Sequence, residues 1–187
     1  MDSSVPPPST SRVVTTPDEA STRALAARLG RALRALHGEG LLIVLHGDLG
    51  AGKTVFVKGL AEGLAISRET PVVSPTFTIA RSYPVPGTEL VLHHLDAYRL
   101  EGAEDLEAVG FEEMCGEGCV TCVEWGSRVS EALPEERLDL WIDMLAAVEP
   151  CRPGEAPRAP RRLRFQARGP VAHRILSAVD DTANEAP

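Results

Sequence analysis

The stretch LLIVLHGDLGAGKTVF, Leu41 to Phe56, constrains this chain more than any other. An apolar run of the kind that forms a buried strand leads into G-x-x-x-x-G-K-T, and that into a segment with helical spacing. Glycines at 47, 50 and 52 let the backbone curl until successive N–H groups point inward. The helix that follows adds the positive end of its dipole. Strand, glycine turn and helix in this order predict a cradle for nucleotide phosphates formed by Gly47, Asp48, Leu49, Gly50, Ala51, Gly52, Lys53 and Thr54. Lys53 is expected to reach the β and γ phosphates, and the Thr54 hydroxyl to coordinate Mg2+.

The choice of base follows from what is missing. Lysine occurs only at 53 and 58, so the chain has no N-K-x-D signature of the kind that reads guanine, and ATP is the expected nucleotide. Such a site also needs an acid at the end of a buried strand to hold Mg2+ or to orient water. Asp96, ending LVLHHLD, and Glu124, ending CVTCVE, both qualify. SPTF, Ser74 to Phe77, adds a hydroxyl-rich loop of the kind that senses a γ-phosphate.

At 187 residues the chain is the size of one domain. The expected fold is a three-layer α/β P-loop domain over residues 15–180, with a mixed, mainly parallel sheet. FTIARSYPV and ELVLHHLDAY, joined by Pro86, Gly87 and Thr88, read as an antiparallel hairpin within it. Residues 1–14, rich in Pro and Ser, read as a disordered tail, 149–160 as a Pro-rich loop and 181–187 as a second tail. In TTPDEASTRALAARL, Thr16 is the expected N-cap, Pro17 the first helical residue and Glu19 the end of a capping box. Leu25, Leu29, Leu33 and Leu36 mark that helix's inner face. No run approaches the roughly 20 apolar residues of a membrane span, and no export signal opens the chain, so a cytoplasmic location is expected. A net charge of −8 argues against a surface built on phosphate-backbone contacts, so any nucleic acid is expected to be reached through another protein.

Two features stand apart from the loop. CGEGCVTC, Cys115 to Cys122, has a C-x3-C-x2-C spacing able to hold an iron-sulfur cluster. However, CVTCVEW reads as a strand, on which Cys119 and Cys122 point to opposite faces. Arg152 to Arg168 contains six arginines against Glu155, a local +5 in a chain of −8. In RRLRFQAR, Arg162, Arg164 and Arg168 share one face, either as a solvated surface or as a contact for tRNA or an acidic partner.

GDLGAGKT, SPTFT, HLDAYRL and VEWG, in this order and spacing, resemble the TsaE family, P-loop ATPases of bacterial tRNA threonylcarbamoyladenosine synthesis. The resemblance spans about Thr15 to Gly169. It implies ATP hydrolysis in concert with two partner proteins, TsaB and TsaD, the latter modifying adenosine beside the anticodon. It also implies that Lys53 and Thr54 hold phosphates and Mg2+, that Glu124 is the Walker B-like acid, that Asp96 acts near metal or water, and that Thr76 is the switch-loop hydroxyl. Trp125 neighbours the site. His94 and Tyr98 fit the pattern too, and a histidine on a strand beside a site more often supports a neighbour than catalyses. The competing reading of the same loop is a small-molecule or nucleoside kinase, which needs an acceptor pocket and a lid, and no lid insertion is evident.

Overall fold

A strand order of β1-β7-β6-β2-β5-β4-β3 organises the chain, in a computed structural model that describes residues 10–36, 38–145 and 159–181. The strands are β1 (Thr10–Thr16), β2 (Leu41–His46), β3 (Ala80–Pro84), β4 (Val91–Asp96), β5 (Cys119–Glu124), β6 (Arg137–Met144) and β7 (Arg161–Arg168). The helices are α1 (Glu19–Ala35), α2 (Lys53–Gly63), α3 (Ala103–Ala108) and α4 (Pro170–Asp181). The central strands β4, β5, β2 and β6 are parallel. The flanking β3, β7 and β1 each pair antiparallel, so the sheet is mixed, with the expected hairpin at one edge.

β2 is apolar at consecutive positions because both of its faces are covered. Leu41, Ile43 and Leu45 pack with α1, α2 and α4. Leu42 and Val44 pack on the opposite side with Leu106 of α3, Phe111 and Val129. That second layer spans only the β2-β5-β4 half of the sheet. On β7, Arg162, Arg164 and Arg168 are exposed while Leu163, Phe165 and Ala167 are buried, the alternation expected from the sequence. Arg164 lies 4.4 Å over the Trp141 ring. Asp139 stitches three strands together on this face, accepting from His46 Nε2 at 3.0 Å, Arg137 Nε at 3.1 Å and Arg168 Nε at 2.9 Å.

α1 and α2 approach backbone to backbone. A Cβ at Gly59 would stand 2.8 Å from Ala26 Cβ, and one at Gly63 would stand 2.8 Å from the Ala27 carbonyl carbon. Only glycine permits this spacing, which seats the helix that begins with Lys53 and Thr54.

Several boundaries differ from the sequence expectation. Thr10 to Val14 is not a tail but most of β1, which covers the edge of β7 and so removes a row of unpaired backbone groups. Thr16 consequently ends a strand and cannot cap α1. Asp18 is the N-cap, its carboxylate accepting from Ser21 N at 2.7 Å, while Thr16 Oγ1 bonds Thr22 Oγ1 at 2.7 Å. α4 runs through Asp181, one residue into the expected C-terminal tail. Residues 1–9, 182–187 and most of the Pro-rich loop lie outside the described residues. No helix among the described residues is long and apolar enough to cross a membrane.

Candidate functional site

β2 delivers the chain into the glycine loop, where Gly47, Gly50 and Gly52 take φ of 141°, 82° and 110°. Gly52, left-handed, is the N-cap of α2 and supplies no side-chain cap. The first-turn N–H groups are therefore available to an anion, at the positive end of the helix. Lys53 is buried. Its Nζ donates to Gly47 O at 2.7 Å and Asp48 O at 2.9 Å, and lies 3.8 Å from the centre of the Trp125 ring. Burial pulls the Lys53 pKa below its ordinary value, opposed by the charges of Glu124, Asp96 and Asp48. Beneath the loop, buried Arg161 donates from Nε to Ala51 O at 3.0 Å, tying β7 to the cradle.

Parallel pairing of β4 with β5 sets Asp96 opposite Glu124 in register, both buried at the strand ends beside the loop. Their partners differ. Glu124 Oε1 accepts from Thr54 Oγ1 at 2.7 Å and bonds His94 Nε2 at 2.8 Å. Asp96 Oδ2 accepts from Ser74 Oγ at 2.7 Å and Thr76 Oγ1 at 2.8 Å, and its Oδ1 accepts from Tyr98 N at 3.0 Å. Glu124 is thus the acid joined to the glycine loop, and Asp96 is the acid that holds the SPTF loop.

Two non-glycine residues with positive φ border this cluster, Ile79 at 67° and Trp125 at 62°. A β-branched or bulky side chain adopts that conformation only where its surroundings enforce it. Trp125 N donates to Leu45 O at 3.1 Å. Its ring meets Tyr98 edge-on, with centroids 5.2 Å apart. The loops around the site carry two exposed apolar side chains, Leu49 at 90% exposure and Phe77 at 91%.

A hydroxyl, two carboxylates and a lysine beside a helix N-terminus form an all-oxygen donor set with a cation. This suits a hard divalent metal carried in with a polyphosphate, which needs only one or two protein carboxylates. The same set can bind an anion, place a metal and present a carboxylate to water.

A family model described as "Threonylcarbamoyl adenosine biosynthesis protein TsaE" matches residues 16–149. The chain belongs to the TsaE family. The family's name places it in tRNA threonylcarbamoyladenosine biosynthesis. The tRNA threonylcarbamoyladenosine biosynthesis protein TsaE of Treponema pallidum is 46% identical over 121 residues, 64% of this chain and 85% of that protein. The protein of the same name from Streptomyces coelicolor is 43% identical over 122 residues, 65% of this chain and 78% of its own length. The crystal structure of YdiB from Bacillus subtilis matches with a TM-score of 0.68 at 32% identity, covering 95% of this chain and 99% of that one.

The residues singled out in the TsaE-like motifs are brought together here: Thr54 is bonded to Glu124, Thr76 to Asp96, and Lys53 lies within range of both acids' charge. Sequence reasoning missed Arg161, which reads as one more arginine in a basic strand until its inward position in the alternation is noticed. It also left unassigned the ring of Trp125 under Lys53. None of the described cysteines shares a hydrogen bond with the site, although Cys122 is two residues before Glu124 on β5. Cys122 is fully buried among core residues and burial pushes its thiol pKa up, while Cys119 is only partly covered and its Sγ lies 3.7 Å from Glu113 O. The two diverge as alternation requires. Cys151 lies outside the described residues.

Proposed function

We propose that this protein binds Mg–ATP in the glycine loop and hydrolyses it in support of tRNA threonylcarbamoyladenosine formation, acting with TsaB and TsaD. The observation that carries this reading is the 2.7 Å bond from Thr54 to Glu124. It puts the metal-binding hydroxyl of a phosphate loop in direct contact with a buried acid. Mg2+, when bound, supplies charge neutralisation for the phosphate oxygens. The chain's own groups do the rest. Lys53, now bonded to the carbonyls of Gly47 and Asp48, would hold phosphate oxygens, and the Thr54 hydroxyl, now bonded to Glu124, would hold the metal. Glu124 then orients water or metal, while Asp96 and Thr76 hold the loop that faces the terminal phosphate.

Dependence on partners is supported by Leu49 and Phe77, two large apolar groups exposed on the loops around the site, an arrangement suited to a protein surface closing over it. A chain of net charge −8 is better suited to meeting tRNA through those partners than directly.

The test is phosphate release measured for the protein alone, with a TsaB–TsaD complex, and with the complex plus tRNA. Slow release that rises on adding the complex is expected. A full rate in isolation that neither addition changes refutes the partner-driven ATPase.

A further inference from the structure

His94 is completely buried on β4, two residues before Asp96 and on the same face. Its Nε2 lies 2.8 Å from Glu124 Oε1. The second ring nitrogen, Nδ1, is buried and has no hydrogen-bond partner among the described residues. A carboxylate oxygen accepts, so Nε2 is the donor in this bond. A single bond therefore accounts for the polarity of this ring. A leucine would fill the same apolar space without an orphaned nitrogen, and buried polar atoms without partners are exceptions that call for a reason.

The reason lies at Glu124. Its Oε1 has two donors, Thr54 Oγ1 and His94 Nε2, and no described residue donates to Oε2. The two donors differ in permanence. Thr54 is on the loop, and in the reading proposed above its hydroxyl would be needed to hold the metal, which would free it from Glu124. His94 is set in the middle of a paired strand and has no second partner among the described residues. From this we infer that His94 is the positioning residue for Glu124. It anchors Oε1 through the nucleotide cycle, so that the carboxylate keeps its place beside the loop when Thr54 lets go. This inference rests on Glu124 serving hydrolysis.

The experiment uses full-length His94→Leu, His94→Gln and Glu124→Gln, and the His94→Leu/Glu124→Gln double variant. Hydrolysis is read with the TsaB–TsaD complex present, alongside ATP affinity and thermal unfolding. His94→Leu is expected to lower kcat about 10–100-fold, the usual cost of removing an outer partner of a site ligand. ATP affinity should stay within about threefold, because the phosphate loop is intact, and the melting temperature should not fall. His94→Gln, whose amide nitrogen can stand where Nε2 stands, should recover most of the rate. In the Glu124→Gln background, His94→Leu should add nothing further.

Equal losses in His94→Leu and His94→Gln accompanied by a lower melting temperature would make His94 a packing residue and overturn the inference. So would a full rate in His94→Leu, or an additive loss in the double variant. A full rate in Glu124→Gln alone is a separate result, which removes the hydrolytic role of Glu124 itself.

Discussion

Replacing Gly63 by alanine tests how the nucleotide loop is held. Gly63 ends α2, whose first residues are Lys53 and Thr54. A Cβ there would lie 2.8 Å from the carbonyl carbon of Ala27 and 2.9 Å from its Cα, with the carbonyl oxygen nearer still. Carbon atoms in contact sit at about 3.5–4.0 Å, and the still closer carbonyl oxygen sets the larger demand, so α1 and α2 must part by about 1 Å, and backbone cannot swing aside as a long side chain can. Overpacking of this kind costs about 1–3 kcal/mol. Alanine's better helix propensity returns at most ~1 kcal/mol, and less at a helix end. The net loss is about 1–2 kcal/mol, a fall in melting temperature of roughly 2–8 °C for a chain of this size. Circular dichroism melts of the wild type and Gly63→Ala measure it, with Gly59→Ala as a second site of the same kind. Melting temperatures within about 1 °C of wild type in both variants would show that the helices part freely and that the close backbone approach contributes nothing.

Lys53→Ala should abolish ATP binding, since no other cation projects into the loop from its own backbone, and unchanged affinity in equilibrium titration would refute the phosphate assignment. Phe77→Ala should leave unstimulated phosphate release within about twofold while cutting stimulation by TsaB–TsaD at least ~10-fold, whereas full stimulation would place the partner elsewhere. At Asp139, burial pushes the carboxyl up, but hydrogen bonds and charge from His46 and Arg137 outweigh it and hold its pKa below the ordinary value. A carboxyl lowered in the folded state stabilises above its unfolded pKa and loses that contribution as pH falls through the folded one. Asp139→Asn should therefore be less stable than wild type at pH 7, with the gap closing below about pH 4, and a gap independent of pH would refute the ion cluster. Cys119→Ser should be neutral, while Cys122→Ser, which buries a hydroxyl in the core, should lower the melting temperature without loss of iron or visible absorption. Stoichiometric iron in anaerobically purified protein would instead revive the cluster.

What the sequence disclosed about this fold depended on how local each signal was. The glycine loop, β2 and α2 were legible because the pattern fixes strand, turn and helix within sixteen residues. Asp96 and Glu124 were legible as strand ends, and the inner leucines of α1 as a periodic stripe. β1 was not, because Thr10 to Thr16 becomes a strand only by pairing with β7, about 150 residues away in the register Thr10 to Ala167. The proline and serine content before it suggested a tail. The cap of α1 moved for the same reason: once Thr16 belongs to a strand, Asp18 is the next oxygen able to accept from the first turn. The partition of partners between the two acids is likewise invisible in one dimension. Ser74 and Thr76 are 22 and 20 residues from Asp96, and only the hairpin geometry decides that they meet Asp96 and not Glu124.

That partition bears on why the site is closed upon itself. Two carboxylates side by side on parallel strands repel, and each has been given its own donors: Thr54 and His94 for Glu124, Ser74, Thr76 and the Tyr98 amide for Asp96. Lys53 lies within the reach of both charges and spends its own hydrogen bonds on loop carbonyls. The side chains proposed to meet nucleotide are therefore already engaged within the protein, and the first-turn N–H groups of α2 are what it offers to phosphate uncommitted. Binding becomes an exchange of one set of hydrogen bonds for another, with a net gain far smaller than the number of new contacts suggests. Under the reading proposed above, such a site is poorly suited to driving hydrolysis by itself, because the energy that would organise Glu124 and the SPTF loop is spent on releasing their internal partners. Thr76 adjoins exposed Phe77 in the chain, so a surface that covers Phe77 acts one peptide away from the Thr76–Asp96 bond. A partner can then supply the organising energy at the position where the isolated chain lacks it.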